Sequence, residues 1–245
     1  MGAHREDLRR QGRPMKLLCA GAAQGLVKAL QDGFLASTGG RIDACFGAVG
    51  AMKEALLAGE PCDVMIVTAS MIAALQSEGR LVAGTEAALG RVRTGVAVRE
   101  GEPLPDIGSP EALKASLLAA SAIYLPDTER STAGIHLASV LARLGIAASV
   151  APRLRTYPNG ATAMRALASD AEAGAIGCTQ ITEIRYTPGI VLAGALPAAF
   201  ELATVYAAAV SATAAEPELA RRFVDLITGP QTHALRAQGG FEFPV

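Results

Sequence analysis

The chain has 245 residues, of which 51% are hydrophobic and 18% are charged, and its formal net charge is −1. This length and composition support one large domain or two modest ones with a substantial core. Trp is absent, aromatic residues make up only 4% of the chain, and no basic stripe is interleaved with them, so nucleic acid is not an expected partner.

The N-terminal residues 1–14 are charged and are predicted to form a flexible tail. They lack the apolar centre of a secretory leader, and no apolar run in the sequence approaches the roughly 20 residues that span a bilayer. We therefore expect a cytoplasmic protein with no membrane insertion, or a periplasmic one if its leader is missing from this sequence.

Two strand–turn–helix units follow the tail. In the first, a turn at 21–25 (GAAQG) links a short apolar strand to a helix, and in the second a turn at 47–50 (GAVG) does the same. Small residues in both turns leave the backbone N–H groups at the helix starts accessible, and such helix ends attract anions. The tandem turns predict a cradle for a small anion. The alternative is a pair of tight turns whose small residues only permit close packing.

Strands and helices alternate almost to the end of the chain, which predicts an α/β fold with mostly parallel sheets. The strands are predicted at 17–18, up to 46, 64–67, 91–99, 123–125, 175–179, 191–192 and 204–210. The helices are predicted at 26–35, 52–58, 69–77, 109–118, 134–144, 161–173, 216–227 and 230–236. Ser109, Pro110 and Glu111 mark a clear helix start, because a capping hydroxyl, a proline and an acid are favoured there.

Polar residues follow two of the later predicted strands. Ser131 and Thr132 precede a helix, where a capping role is expected with or without a ligand. Gln180 and Glu183 follow a buried strand, the usual place for site residues in α/β folds. For Glu183 the alternative is an acid at a helix start, and for His136 it is a packed or solvated ring.

The cysteines and histidines show no metal-ligand or C-x-x-C spacing. The cysteines are Cys19, Cys45, Cys62 and Cys178. Three of them lie in apolar, strand-like contexts, which favours buried thiols over disulfides in a chain of this size. The histidines are His4, His136 and His233, and they are scattered along the chain. We expect neither a metal site nor another cofactor.

Four segments together carry a family resemblance over residues 15–241. They are AAQGLVKALQDGF, FGAVGAMKEALLAGEPCDVMIV, STAGIHLASVLARLGI and FVDLITGPQTHALRAQGGF. In order and spacing they resemble the type II periplasmic-binding-protein fold, and most of all the molybdate-binding proteins of ABC importers. The resemblance implies two α/β lobes joined by two crossing strands, with ligand in the cleft between them. Lobe one takes residues 15–95 and 203–245, and lobe two takes 96–202.

The resemblance also implies that helix N-termini and small polar groups bind the ligand. The positions that carry over are Ala23, Gln24, Gly25, Val49, Gly50, Ser131, Thr132, Ala133, Asn159, Gly160 and Gln180. Gly25, Gly50 and Gln180 stand where molybdate binders place serine or tyrosine, so backbone donors remain while most side-chain donors are lost. The anion is therefore left open between an oxyanion and a small organic carboxylate.

Two functions of different classes follow from this resemblance. The first is a substrate-binding protein that closes on a small anion, with an ABC permease as partner if the protein is exported. The second is an isomerase of a small di- or tricarboxylate, since some relatives with this appearance are aconitate isomerases. Such a reaction needs a positioned base, for which Glu183 and His136 are candidates, and cations such as Arg130 or Arg155 to hold carboxylates. The oligomeric state is left open.

Overall fold

The computed structural model describes residues 13–170 and 172–243, so most of the predicted tail, residues 1–14, lies outside the described residues. The strands are β1 (Met15–Ala20), β2 (Ile42–Gly47), β3 (Val64–Thr68), β4 (Ala87–Arg99), β5 (Ile123–Pro126), β6 (Leu154–Tyr157), β7 (Ile176–Gln180), β8 (Ile190–Ala195) and β9 (Ala203–Val210). The helices are α1 (Gly21–Thr38), α2 (Val49–Leu57), α3 (Ala69–Ser77), α4 (Pro110–Ala119), α5 (Thr132–Arg143), α6 (Ala147–Val150), α7 (Gly160–Ser169), α8 (Ile181–Arg185), α9 (Pro217–Thr228) and α10 (His233–Gly239). Single 3₁₀ turns lie at Ala151–Arg153, Ala198–Phe200 and Pro230–Thr232. The predicted α/β fold is confirmed.

The described strands join in one sheet with the order β2-β1-β3-β9-β4-β7-β5-β6, and β8 also pairs with β4. The outer pairs β1–β2, β1–β3, β5–β6 and β5–β7 are parallel. The long strand β4 is antiparallel to its neighbours, pairing with β9 through residues 87–93 and with β7 through residues 94–97. We call the β1–β3 and β9 side the first half and the β5–β8 side the second half; β4 runs through both.

The hydrophobic core follows this division of the sheet. One buried cluster uses residues from 15–92 and 206–241, and two others use residues from 96–200. Strand β4 contributes Leu89 and Val92 to the first cluster and Val96 to the second. The lobe boundaries at 95 and 203 remain a prediction, because this strand continues without interruption from one half to the other.

The predicted turns at 21–25 and 47–50 are wrong. Helix α1 begins at Gly21 and α2 at Val49, each directly after one extended residue, Ala20 (φ −61, ψ 144) and Ala48 (φ −65, ψ 152). The glycines are needed for close packing instead of for turning. A Cβ on Gly25 would lie 2.0 Å from the ring of Tyr186, so only glycine fits at that point of the helix.

Other differences from the predicted elements lie in the second half. The edge strand β6 and the short helix α6 were not predicted, and α7 ends at Ser169 instead of continuing to 173. Within residues 13–170 and 172–243, no single helix is long and apolar enough to cross a membrane. The pair Thr132–Arg143 and Ala147–Arg153, bent by 117°, meets that test only when its parts are taken together. All four cysteines are free, as predicted, and Cys45 is the exposed one.

Candidate functional site

The two halves of the protein touch where the helices of each half begin. The N–H of Gly50, in the first turn of α2, donates to the carbonyl of Arg130, just before α5, at 3.0 Å. A Cβ on Gly50 would come within 3.1 Å of that carbonyl oxygen. The close approach brings the starts of α2 and α5 together across the junction.

A cavity of about 630 Å³ opens beside this contact, and we call it the main cavity. Its wall combines Val49 and Gly50 of α2, the start of α3, Thr132 of α5 and the first residues of β9. Glu54, Glu129 and Arg130 also line it and are exposed. The volume lies within the range of about 300–1,000 Å³ typical of small-ligand sites.

Three helices that begin at the junction, α1, α2 and α5, differ from several others in how their N-termini are capped. Thr68, Ser109 and Asn159 cap α3, α4 and α7 through side-chain oxygens that accept a backbone N–H. Helices α1, α2 and α5 have no side-chain cap, and their first turns carry no acid. Uncapped helix starts leave backbone donors free for a ligand, and their dipoles favour negative charge.

A buried polar cluster lies where β4, β7 and β9 meet behind the main cavity. Gln180 is 2% exposed, its Nε2 lies 3.2 Å from the Tyr206 hydroxyl, and its Oε1 has no partner among the described residues. Thr94, its register partner on β4, and Thr182 also have buried hydroxyls without a partner in that part of the chain. Such atoms are costly, at about 1–3 kcal/mol each, which points to a polar ligand or water as the missing partner.

Tyr206 links this cluster to the main cavity. Burial raises the pKa of its hydroxyl, the Glu183 carboxylate adds to that rise, and hydrogen bonds with Thr132 and Gln180 offset part of it. Because Thr132 itself lines the main cavity, a chain of neutral hydroxyl and amide groups leads from the cavity wall to the buried cluster. These groups can donate to an anion without adding charge.

Glu183 is a buried carboxylate at the same junction, with 5% of its surface exposed. Its Oε2 accepts from the Thr179 hydroxyl at 2.5 Å, and its Oε1 accepts from the N–H of Ala161 at 3.2 Å. Burial raises the pKa of Glu183, and these hydrogen bonds, with those from the N–H groups of Gln180 and Gly160, oppose the rise. A Cβ on Gly21 would lie 2.2 Å from Oε1, so the carboxylate rests directly against the start of α1.

Glu183 lines a second, smaller cavity of about 190 Å³, and we call it the side cavity. Gly21, Gln24 and Lys28 of α1 form one wall, and Ala161 and Arg165 of α7 form another. The remaining lining residues are Gly25, Glu183, Tyr186, Thr187 and Pro188.

The predicted site residues therefore fall into three groups. Val49, Gly50 and Thr132 line the main cavity, while Gln24, Gly25 and Glu183 line the side cavity. The others are buried around the junction and line neither cavity: Ala23, Ser131, Ala133, Asn159, Gly160 and Gln180. The structure thus places these positions in or around the two cavities.

The candidate base His136 and the candidate cations Arg130 and Arg155 are less well placed to contact a ligand. The Nε2 atom of His136 is 2.7 Å from the carbonyl of Phe200, and the ring lines neither cavity. Arg130 is held by Asp127 at 3.0 Å and lies 3.7 Å from Glu54. Arg155 donates to main-chain carbonyls nearby and also lines neither cavity.

Sequence reasoning missed several groups that the fold brings to the junction. Thr94 and Tyr206 come from β4 and β9, the strands that pass along the junction, while Lys28 and Arg165 come from helix surfaces. Nothing in the local sequence sets them apart. Thr94 lies in register opposite Gln180, Tyr206 hydrogen-bonds to Gln180, and Lys28 and Arg165 lie between one and two turns inside their helices. Among the described residues, no cluster of His, Cys, Asp and Glu side chains is arranged to hold a metal ion.

Comparison with known proteins agrees with this architecture. A family model of bacterial extracellular solute-binding proteins matches residues 15–242. An aconitate isomerase from a Pseudomonas species is 27% identical over 219 residues, which are 87% of this chain and 81% of that protein. The periplasmic molybdate-binding protein of Azotobacter vinelandii has a TM-score of 0.78 at 20% identity, covering 94% of this chain and 100% of that chain. The sulfate-binding protein SubI of Mycobacterium tuberculosis has a TM-score of 0.71 at 18% identity, covering 93% and 86%. The two structures show a shared fold.

Proposed function

The chain belongs to the family of bacterial extracellular solute-binding proteins, and on that basis we propose that it binds a small anion between its two halves. The ligand is held by the N–H groups at the starts of α2 and α5 other than that of Gly50, which donates to Arg130, and by the Gln180–Tyr206 cluster behind them. The observation that carries this proposal is that α2 and α5, whose starts meet beside the main cavity, have neither a side-chain cap nor a first-turn acid.

The polar cluster supports the same conclusion. Rotation of the Gln180 amide lets the Tyr206 hydroxyl donate to Oε1 and turns Nε2 toward the position without a partner, where it can donate to an anion. A hydrogen bond to a charged group contributes about 1.5–3 kcal/mol. Tyr206 and Thr132 extend the row of neutral donors toward the main cavity.

The size of the site favours an organic carboxylate over an inorganic oxyanion. A volume of about 630 Å³ is generous for a tetrahedral oxyanion. The similar proteins bind molybdate and sulfate or act on aconitate, as their names state. We propose an ABC permease as the partner of an exported form, whereas the cytoplasmic location expected from the sequence remains a prediction.

Thermal melting with a panel of anions tests this proposal. We expect at least one of molybdate, tungstate, sulfate, phosphate, citrate, cis-aconitate and trans-aconitate to raise the melting temperature. A ligand at 100 times its dissociation constant adds about 2.7 kcal/mol, which corresponds to about 5–10 °C for a chain of this size. Sodium chloride at matched ionic strength is the control for a general salt effect.

The pattern across the panel identifies the ligand class. A shift with the carboxylates alone supports the organic anion, whereas a shift with micromolar molybdate and none with carboxylates contradicts that preference. If no anion raises the melting temperature more than the chloride control does, the proposed function is wrong.

The buried carboxylate supports an isomerase as the second candidate function. A group that takes a proton from the carbon beside a carboxylate and returns one at the former alkene carbon moves a double bond with no net change in atoms. Glu183 is suited to this role because burial raises its pKa, and a carboxylate with a raised pKa accepts a proton more readily. The 27% identical aconitate isomerase makes an aconitate the substrate to try first.

Proton NMR of cis-aconitate incubated with the protein tests this candidate. An isomerase produces the trans isomer, and Glu183→Gln is expected to lower the rate at least 100-fold while binding is kept, because glutamine preserves the side-chain shape. A sample without protein gives the spontaneous rate. If the trans isomer forms no faster with protein than without it, the isomerase assignment fails for this substrate and the binding function is unaffected.

A further inference from the structure

The main cavity has an apolar wall that the helix starts do not explain. Thr132 begins α5 and lines this cavity, and Ile135 lies three residues further along the same helix and lines it too. Residues three apart on a helix share a face. Met71 has the same relation to Thr68 at the start of α3, and Val205 of β9 also lines the cavity. Beyond the helix starts, the cavity is therefore bordered by hydrocarbon from both halves.

Two of these apolar side chains leave a large part of their surface in contact with solvent. Ile135 is 49% exposed and Val205 is 40% exposed, and they come from different halves of the protein. Single exposed apolar residues are common on protein surfaces, but these two line the same cavity. Because removal of apolar surface from water is favourable, a ligand with a hydrocarbon part gains affinity when it covers them.

The charged groups of the main cavity do not match a ligand with several carboxylates. Its charged lining residues are Glu54, Glu129 and Arg130. The Arg130 guanidinium is hydrogen-bonded to the Asp127 carboxylate at 3.0 Å and lies 3.7 Å from the Glu54 carboxylate. Its charge is therefore already compensated, and the two glutamates add negative charge that opposes each further carboxylate of a ligand. A ligand with one carboxylate, held at the helix starts, suits this lining best.

We propose that the main cavity selects a monocarboxylate with a hydrocarbon body. Its carboxylate lies at the starts of α2 and α5, and its hydrocarbon lies against Ile135, Met71 and Val205. The inference rests on the proposed function and narrows it, since it makes citrate and the two aconitates weaker ligands of this cavity. One helical turn is about 5.4 Å long, so a chain of about four to six carbons reaches from a helix start to the next turn. A cavity of about 630 Å³ has room for such a molecule.

Calorimetric titration of the full chain with acetate, butyrate, hexanoate and adipate tests this selectivity. Each buried CH₂ group corresponds to about a 4-fold change in the dissociation constant, so hexanoate should bind about 10-fold more tightly than butyrate. Adipate has the same carbon chain with a second carboxylate in place of the methyl group, and it should bind about 10-fold more weakly than hexanoate because that carboxylate loses water without a cation as partner. Hexanamide keeps the chain without the charge and should also bind about 10-fold more weakly.

The double variant Ile135→Thr/Val205→Thr removes hydrocarbon from the cavity wall while keeping β-branched side chains. Its dissociation constant for hexanoate should rise about 10-fold, and that for acetate should change less than about 2-fold, because acetate does not reach the apolar wall. The matched control Val82→Thr/Val191→Thr makes similar changes at two valines that are each 37% exposed and lie outside both cavities, and it should bind hexanoate as the wild type does. Melting curves report whether both variants fold; if the cavity variant does not, Val205→Thr against Val191→Thr makes the same comparison.

The outcomes separate this selectivity from the proposed function. If adipate or hexanamide binds as tightly as hexanoate, or if the cavity variant keeps the wild-type affinity for hexanoate, the selectivity is wrong and anion binding stands. The same conclusion follows if the control loses as much affinity as the cavity variant, or if the protein binds an anion of the melting panel and none of the four carboxylates. If the wild type binds no anion, the proposed function fails and the selectivity falls with it.

Discussion

Replacement of Gly21 by alanine is expected to weaken anion binding by one to two orders of magnitude. The new Cβ would lie 2.2 Å from Oε1 of Glu183, and that carboxylate is held in place by the Thr179 hydroxyl and the N–H of Ala161. Overpacking of a dense contact costs about 1–3 kcal/mol. Separation of the two halves would relieve this clash, so we expect the cost to fall on an arrangement in which Gly21 and Glu183 are in contact.

Gly33→Ala is the matched control for this effect. Gly33 lies in the same helix, and a Cβ at that position meets no atom within 4 Å. We expect this variant to be about 0.5–1 kcal/mol more stable than the wild type, because alanine is favoured over glycine in a helix, and to bind normally.

Isothermal titration gives the affinities, and small-angle scattering reports whether Gly21→Ala has a larger radius of gyration. Wild-type affinity in Gly21→Ala would show that the contact between Gly21 and Glu183 does not form in the bound state. A loss of affinity in Gly33→Ala as large as that in Gly21→Ala would show that the effect belongs to the helix instead of to the contact.

The alternation of strands and helices was predictable because it depends on local patterns. The buried apolar run of β3 and the helix start at Ser109 follow from residue types within a few positions of each other, and the structure places both as expected. The starts of α1 and α2 were misplaced, because Gly and Ala in tandem are typical of turns. Their glycines are explained by contacts with Tyr186 and Arg130, more than 70 positions away in the sequence.

The sequence indicated helix starts in the right regions, although it placed the start of α2 three residues and that of α5 two residues too late. The role of these helix starts as anion donors remains a prediction. The partnership of Gln180 with Thr94 and Tyr206 depends on strand register between β4, β7 and β9, which the sequence does not display.

Glu183 shows most clearly how context decides a role. Its sequence position suits an acid at a helix start, which is one of the two interpretations made from sequence. In the structure its carboxylate also reaches the start of α7, where it accepts from Ala161, and contacts the start of α1 at Gly21. One carboxylate therefore accepts hydrogen bonds from N–H and O–H groups of the second half and packs against the start of α1 in the first half. Its role depends on three separate segments of the chain.

Gln180→Leu is expected to lower the affinity for the anion by about 10–100-fold. Leucine has nearly the same volume but no amide, so the buried hydroxyl of Tyr206 loses a partner and the ligand loses a neutral donor. A hydrogen bond to a charged group is worth about 1.5–3 kcal/mol, which gives that range in the dissociation constant. Calorimetric titration with the best anion from the melting panel measures the change.

Two further variants separate charge from hydrogen bonding at this position. Gln180→Glu keeps the shape but places a carboxylate beside the anion, so it should bind more weakly than Gln180→Leu, and the difference should shrink as the pH falls and the new carboxyl is protonated. Gln31→Leu, at an exposed position on α1, makes the same chemical change outside the site and should bind as the wild type does. Equal affinities for the wild type and Gln180→Leu would place the anion away from this cluster. The uncapped starts of α2 and α5 would then have to hold it with backbone donors alone.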